Sequence, residues 1–86
     1  MKFIKDLGCT ETGANRHLYL SVNGYRVVSA NTVLGGGPEV YIFEADKTGE
    51  ILSWAELPGS EPGDLDIEEA AKRHEALGAP GGYDHD

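Results

Sequence analysis

The 86-residue sequence predicts an α+β domain, a four-stranded antiparallel sheet with two helices packed on one face. Three observations carry that prediction. Leu18, Leu20 and Val22 alternate with His17, Tyr19 and Ser21, the period-2 mark of a half-buried strand. Asn23-Gly24 separates two β-rich runs, which suits a two-residue hairpin turn whose central positions both need positive φ. Helical spacing enters only in the second half of the chain, so strands come first and helices second.

The elements follow in order. MKFIKDL, residues 1–7, reads as a first strand, with Lys2, Ile4 and Asp6 on one side and Phe3, Lys5 and Leu7 on the other. GCTETGAN, residues 8–15, is a polar loop. The second strand ends at Asn23-Gly24, and the turn pairs Val22 with Tyr25 and Leu20 with Val27. Strand three runs from Tyr25 to Leu34 and stops at Gly35-Gly36-Gly37. EVYIFEA, residues 39–45, is β-branched and aromatic and makes the fourth strand. Asp46 or Thr48 caps a short helix over 48–56, with Ile51, Leu52 and Trp54 as packing residues, although Gly49 weakens it by about 1 kcal/mol relative to Ala. Pro58-Gly59 breaks that helix, and GSEPGD links it to a second one from Leu65 to Leu77. Asp64 or Asp66 caps the second helix, Glu68 and Glu69 suit its positive end, and Gly78 stops it. Its apolar face is Ile67, Ala70, Ala71, His74 and Leu77. Residues 1–80 form one domain, and 81–86 form a flexible acidic tail.

A chain this short spends nearly all its apolar residues on one core, which leaves little room for an enclosed active site. The 40% hydrophobic fraction argues against wholesale disorder. One cysteine, Cys9, excludes an intramolecular disulfide. The N-terminal region lacks the apolar run of a signal peptide, and no segment is long enough to span a membrane, so a soluble intracellular protein is expected. The net charge of −8 is unevenly placed. In residues 1–37, Lys2, Lys5, Arg16 and Arg26 face only Asp6 and Glu11, leaving +2. In residues 38–86 three basic residues face thirteen acidic ones, leaving −10. Direct binding to a nucleic-acid backbone is disfavoured at that charge. An acidic surface facing a basic partner and a merely solvated acidic helix face are both compatible with it.

No catalytic or cofactor constellation passes a spacing test. His17, His74 and His85 fall on a strand, a helix and the tail, without metal-ligand spacing to one another or to Cys9. Nothing in the sequence places a base beside Cys9. The Gly35–Gly37 run joins two strands, whereas a phosphate loop leads into a helix. Glu68 and Glu69 point in different directions on a helix and are no acid/base pair. No enzyme, metal or cofactor is expected. What remains is surface. With Leu18, Leu20, Val22, Val27, Val33, Val40 and Ile42 as core, the opposite face carries Tyr19, Ser21, Arg26, Val28, Ala30, Thr32, Tyr41 and Phe43. Both helices are spent on the core side, so this face is uncovered, and an exposed apolar patch marks a contact site.

The sequence resembles the phage-encoded anti-CRISPR family whose founding member inhibits the type I-F surveillance complex. The likeness rests on MKFIK at 1–5 followed by Leu7, and on Asn23-Gly24 at the matching place once one loop residue is added. It then runs without a gap through Val33, Val40, Asp46, Leu52, Ser53-Trp54 and LPGS at 57–60. It covers about residues 1–60, and the last helix by position and type. The resemblance implies a four-stranded antiparallel sheet with two helices on one side, and no enzymatic activity. It also implies binding to backbone Cas subunits of a type I complex, in the cytoplasm of the infected bacterial host. Such binding stops target DNA from pairing with the guide RNA. The family's binding residues are two tyrosines and a glutamate. Asp6, Ser21 and Thr32 stand at those positions here, so Tyr19, Tyr41 and Phe43 are the expected replacements on the same face, and the expected partner-binding set is Asp6, Tyr19, Ser21, Arg26, Thr32, Tyr41 and Phe43.

Overall fold

Neighbouring residues of a strand point to opposite faces, yet Val27 and Val28 are both completely buried. Both faces of the sheet are therefore covered at its centre. The computed structural model describes residues 1–11, 13–33, 37–58, 61–62 and 67–78, with backbone alone at 32, 33, 37, 38, 61 and 62. Its elements are β1 (Lys2–Cys9), β2 (Ala14–Ser21), β3 (Gly24–Val33), β4 (Gly37–Ala45), β5 (Ile51–Ser53), β6 (Glu61–Pro62) and α1 (Ile67–Ala76). The sheet order is β1-β2-β3-β4-β5, with β6 also paired to β4. Every pairing is antiparallel. The α+β class with an antiparallel sheet therefore holds, but with six strands and, among the described residues, one helix.

The expected helix over 48–56 is a turn followed by β5. One Asp46 oxygen, Oδ1, accepts from the amides of Thr48 (2.8 Å) and Glu50 (3.1 Å) and from the Thr48 hydroxyl (2.6 Å). The Asp46 amide meanwhile donates to the Glu50 carbonyl at 3.0 Å. A short polar side chain that captures the following amides competes directly with a helix. Gly49 then turns the chain at φ 95°, and Ile51–Ser53 pairs with Glu44 and Ala45. A Cβ on Gly49 would stand 2.8 Å from Leu7 Cδ2. Gly49→Ala is therefore expected to cost about 1–2 kcal/mol from the left-handed backbone alone. An unchanged urea midpoint would remove Gly49 from the account of this turn.

The hairpin register also differs from expectation. Val22 and Asn23 form the loop, so Ser21 pairs with Gly24, Leu20 with Tyr25 and Leu18 with Val27. The Ser21 hydroxyl holds this turn, accepting from the Asn23 amide (3.1 Å) and donating to the Gly24 carbonyl (2.8 Å). Gly24 takes the left-handed φ of 122° just past the loop, a position open to glycine without steric cost.

This register and the β3–β4 pairing decide the faces. Tyr19 lies beside Arg26, Val28 beside Ile42, and Ala30 beside Val40. Tyr19, Val28, Val40 and Ile42 form a cluster with Leu57, Ala70 and Ala71, so this is the side α1 covers. Leu18, Val27 and Ala45 form a second cluster on the other side, where Leu7, Tyr25 and Ile51 fold over them. The expected single core is thus split between two faces. Leu20 and Val22 are 37% and 74% exposed and belong to neither cluster.

β1 loses its expected alternation because its register slips between Phe3 and Lys5 and again between Asp6 and Gly8. Phe3 and Asp6 consequently sit beside Tyr19 and His17, on one face instead of opposite faces. Such slips bend a strand and spoil its edge for further pairing. α1 follows the expected pattern more closely. Ala70, Ala71 and His74 are buried and Gly78 (φ 93°) ends the helix, but Leu77 is 57% exposed. The expected tail at 81–86, the cap residues Asp64 and Asp66, Leu34 and Leu65 lie outside the described residues. Among the described residues, no helix is long and apolar enough to cross a membrane.

Candidate interaction surface

The seven residues expected to share one open face do not share it. Tyr19 is only 4% exposed and packs in the α1-side core, with its ring edge-on to Phe3 at 5.6 Å. Arg26 is 2% exposed beneath α1, where Nε donates to His74 Nε2 (3.3 Å) and Nη1 to the Tyr25 carbonyl (2.9 Å). Ser21 is buried in the hairpin turn. The expected companions Val28 and Ala30 likewise face α1. Asp6 is exposed on the edge strand, 3.6 Å from His17 Nε2, and accepts from the Gly8 amide at 2.7 Å. Thr32 pairs with Pro38 in the β3–β4 ladder, and its side chain lies outside the described residues. Two things produce this reversal: the β3–β4 pairing sets Val28 beside Ile42 and Val27 beside Phe43, which parts Tyr41 and Phe43 from Tyr19 and Arg26, and α1 packs on the Tyr19, Val28 and Ile42 side.

Tyr41 and Phe43 do lie on the face that α1 leaves uncovered, and two residues missed by sequence reasoning join them. Arg16, Ser29 and Tyr41 stand side by side on β2, β3 and β4. Trp54 folds back from the end of β5 so that its ring lies 5.2 Å from Phe43. The Arg16 guanidinium carbon sits 5.5 Å from the Trp54 centroid, close enough for a cation–π contact worth about 0.5–1 kcal/mol at an exposed site. Tyr41 stacks on Phe43 at 6.3 Å with a 30° interplanar angle. The result is a row running Tyr41, Phe43, Trp54, Arg16.

Local sequence explains each placement. Phe43 and Tyr41 are two apart on β4 and share a face. The Asp46–Glu50 turn brings the chain back along β4, and the Leu57 amide donates to the Ile42 carbonyl (2.9 Å), which keeps this return segment against the strand. Trp54 is thereby carried over the β4 edge, with 63% of its surface exposed. As the sole tryptophan, it was the one signal that could have pointed here.

The polar rim is ordered. Arg16 Nε donates to Ser29 Oγ (3.4 Å), and Ser29 Oγ bonds Asn31 Oδ1 (3.3 Å). The Tyr41 hydroxyl donates to Glu39 Oε1. That hydrogen bond raises the Tyr41 pKa above its ordinary value, helped by desolvation and by the charges of Glu39 and Glu56. The phenol therefore remains a donor across the neutral range. The surface offers aromatic faces, one guanidinium and fixed hydrogen-bonding groups, which are the means of protein recognition. Among the described residues no three His, Cys, Asp or Glu side chains gather to hold a metal ion, and Cys9 is exposed with Sγ 3.3 Å from Asn15 Oδ1.

Comparison with known proteins finds no match for this chain among family models, curated proteins or solved structures.

Proposed function

We propose that the protein is a phage anti-CRISPR inhibitor that binds a Cas subunit of a type I surveillance complex and prevents target DNA from hybridising to the guide RNA. It acts in the cytoplasm of the infected host by binding alone, with no enzymatic step and no cofactor. The observation that carries this reading is the row of Tyr41, Phe43, Trp54 and Arg16 on the face free of α1. A largely exposed tryptophan between an arginine and a second aromatic has the composition of an interface anchor. The sequence resemblance supplies the partner class.

Purified type I-C, I-E and I-F complexes, each incubated with the protein, test this directly. One of them is expected to copurify with it and to lose target DNA in a gel shift. Copurification with none would end the proposal. A phage interaction protein unrelated to CRISPR is then what remains.

The rival in which acidic residues imitate a nucleic acid and fill a basic Cas groove has less support. On α1, Glu68 and Glu69 are exposed, but so are Lys72 and Arg73 one turn on, and such spacing pairs opposite charges. Glu75 lies 3.4 Å from the Met1 ammonium and is engaged within the fold. The two readings separate on salt. Binding through the aromatic row changes little between low and moderate ionic strength, whereas phosphate mimicry weakens steeply.

A further inference from the structure

We infer that His74 is a proton-operated latch that holds α1 on the sheet when neutral and releases it when protonated. The geometry fixes its protonation state. Nδ1 lies 2.6 Å from the Pro58 carbonyl, which can only accept, so Nδ1 carries the hydrogen. Nε2 lies 3.3 Å from Arg26 Nε, which can only donate, so Nε2 presents its lone pair. A second proton has one place to go, Nε2, and there it would point at the guanidinium with both groups buried.

The charged neighbours come from every element packed around the ring. β3 supplies Arg26, itself paired with Glu44 of β4, α1 supplies Glu75, and the chain start supplies the Met1 ammonium. Tyr19 is the uncharged neighbour across from Arg26. The two cations oppose a charged ring. Glu75 favours one but is held 3.4 Å from the Met1 ammonium. Burial acts most strongly and, with Arg26 and the Met1 ammonium, outweighs the opposing Pro58 hydrogen bond and Glu75, so the His74 pKa lies below its ordinary value of 6.5.

His74 shares the docking of α1 with the Glu75–Met1 ion pair and with the packing of Ala70, Ala71 and Ile67. α1 buries only Ala70, Ala71 and His74 completely, with Ile67 half-buried. The two hydrogen bonds of His74 join α1 to Arg26 on β3 and to the Pro58 carbonyl. The Asn23 side chain adds one bond to the Gly78 carbonyl at 3.2 Å. Release of α1 would bare Val28, Val40 and Ile42 on the sheet. The inference stands independently of the proposed partner.

The sign follows from the depressed pKa. Above about pH 6.5 both docked and released forms carry neutral His74, and docking is independent of pH. As pH falls below that value the released form takes up a proton first, and docking weakens until the docked pKa is passed. Amide exchange of residues 70–76, divided by intrinsic rates, should quicken roughly tenfold between pH 7.5 and 5.0, with a ceiling of about 30-fold set by the ordinary histidine pKa. Amides of Val27 and Val28 should not follow. His74→Gln keeps an acceptor for Arg26 and a donor for Pro58 but cannot titrate, so its helix exchange should change less than about twofold over the same range. Three results would overturn the latch: wild-type helix exchange that ignores pH, a glutamine variant with the wild-type pH response, or sheet amides that open in step with α1. The wild-type protein also gives a check free of any variant, since a His74 ring resonance titrating at or above pH 6.5 contradicts the buried neutral state.

Discussion

Tyr19→Ala is expected to destabilise the protein by about 3–5 kcal/mol, the usual cost of deleting a buried aromatic side chain. Tyr19 is 4% exposed and packs with Val28, Val40 and Ile42 beneath α1. It also stands beside Phe3 on the edge strand, so its loss loosens β1 as well. Small domains hold only about 5–15 kcal/mol in total, so a substantial unfolded population should appear at 37 °C. Urea unfolding followed by Trp54 emission measures the loss. A variant within about 1 kcal/mol of wild type would contradict the assignment of Tyr19 to the core. The same experiment separates structure from recognition, because any loss of the proposed inhibition in this variant would follow from unfolding.

Removing Trp54 and Tyr41 together should have the opposite profile. Trp54 is 63% exposed and Tyr41 is half-buried at the rim, so Trp54→Ala/Tyr41→Ala should cost no more than about 1 kcal/mol of stability. If the aromatic row is the contact, each residue is worth about 2 kcal/mol as an interface anchor, and affinity should fall by at least roughly 100-fold. Phe43 is left intact because it is only 7% exposed and its removal would damage the sheet. Titration of the double variant against the surveillance complex that retains the wild type reads the effect. Unchanged affinity in a folded double variant would move the binding site off this face.

The legible and illegible parts of this protein differ in range along the chain. α1 was legible because Ile67, Ala70, Ala71 and His74 repeat at helical spacing and Gly78 supplies the stop. β2, β3 and β4 were legible from alternation and β-branched content. The 46–56 segment was misread because Ile51, Leu52 and Trp54 satisfy a helical spacing as readily as a strand. The competing contact, Asp46 Oδ1 with the Thr48 and Glu50 amides, is a detail of one side chain. Trp54 was consequently placed inside a helix, and the aromatic row lost its most exposed member. Arg16 was missed for a different reason: its partner is 38 positions away in the chain and meets it only across the sheet.

Local sequence determined which segments extend, where α1 runs and stops, and roughly where the β2–β3 hairpin turns, because each depends on residues a few positions apart. It also put Tyr41 and Phe43 on a face opposite Val40 and Ile42, since alternation alone separates them. Alternation defines two faces and does not say which one a helix will cover. Here both faces of β2 and β3 are apolar, with Leu18 and Val27 on one and Tyr19 and Val28 on the other. The choice therefore fell to contacts distant in sequence. Ala70 and Ala71 settle on Val28, Val40 and Ile42, His74 engages Arg26 and Pro58, and Leu7 and Ile51 close over Leu18 and Val27. Those contacts buried Tyr19 and Arg26 and left Tyr41, Trp54 and Arg16 around Phe43 on the opposite face.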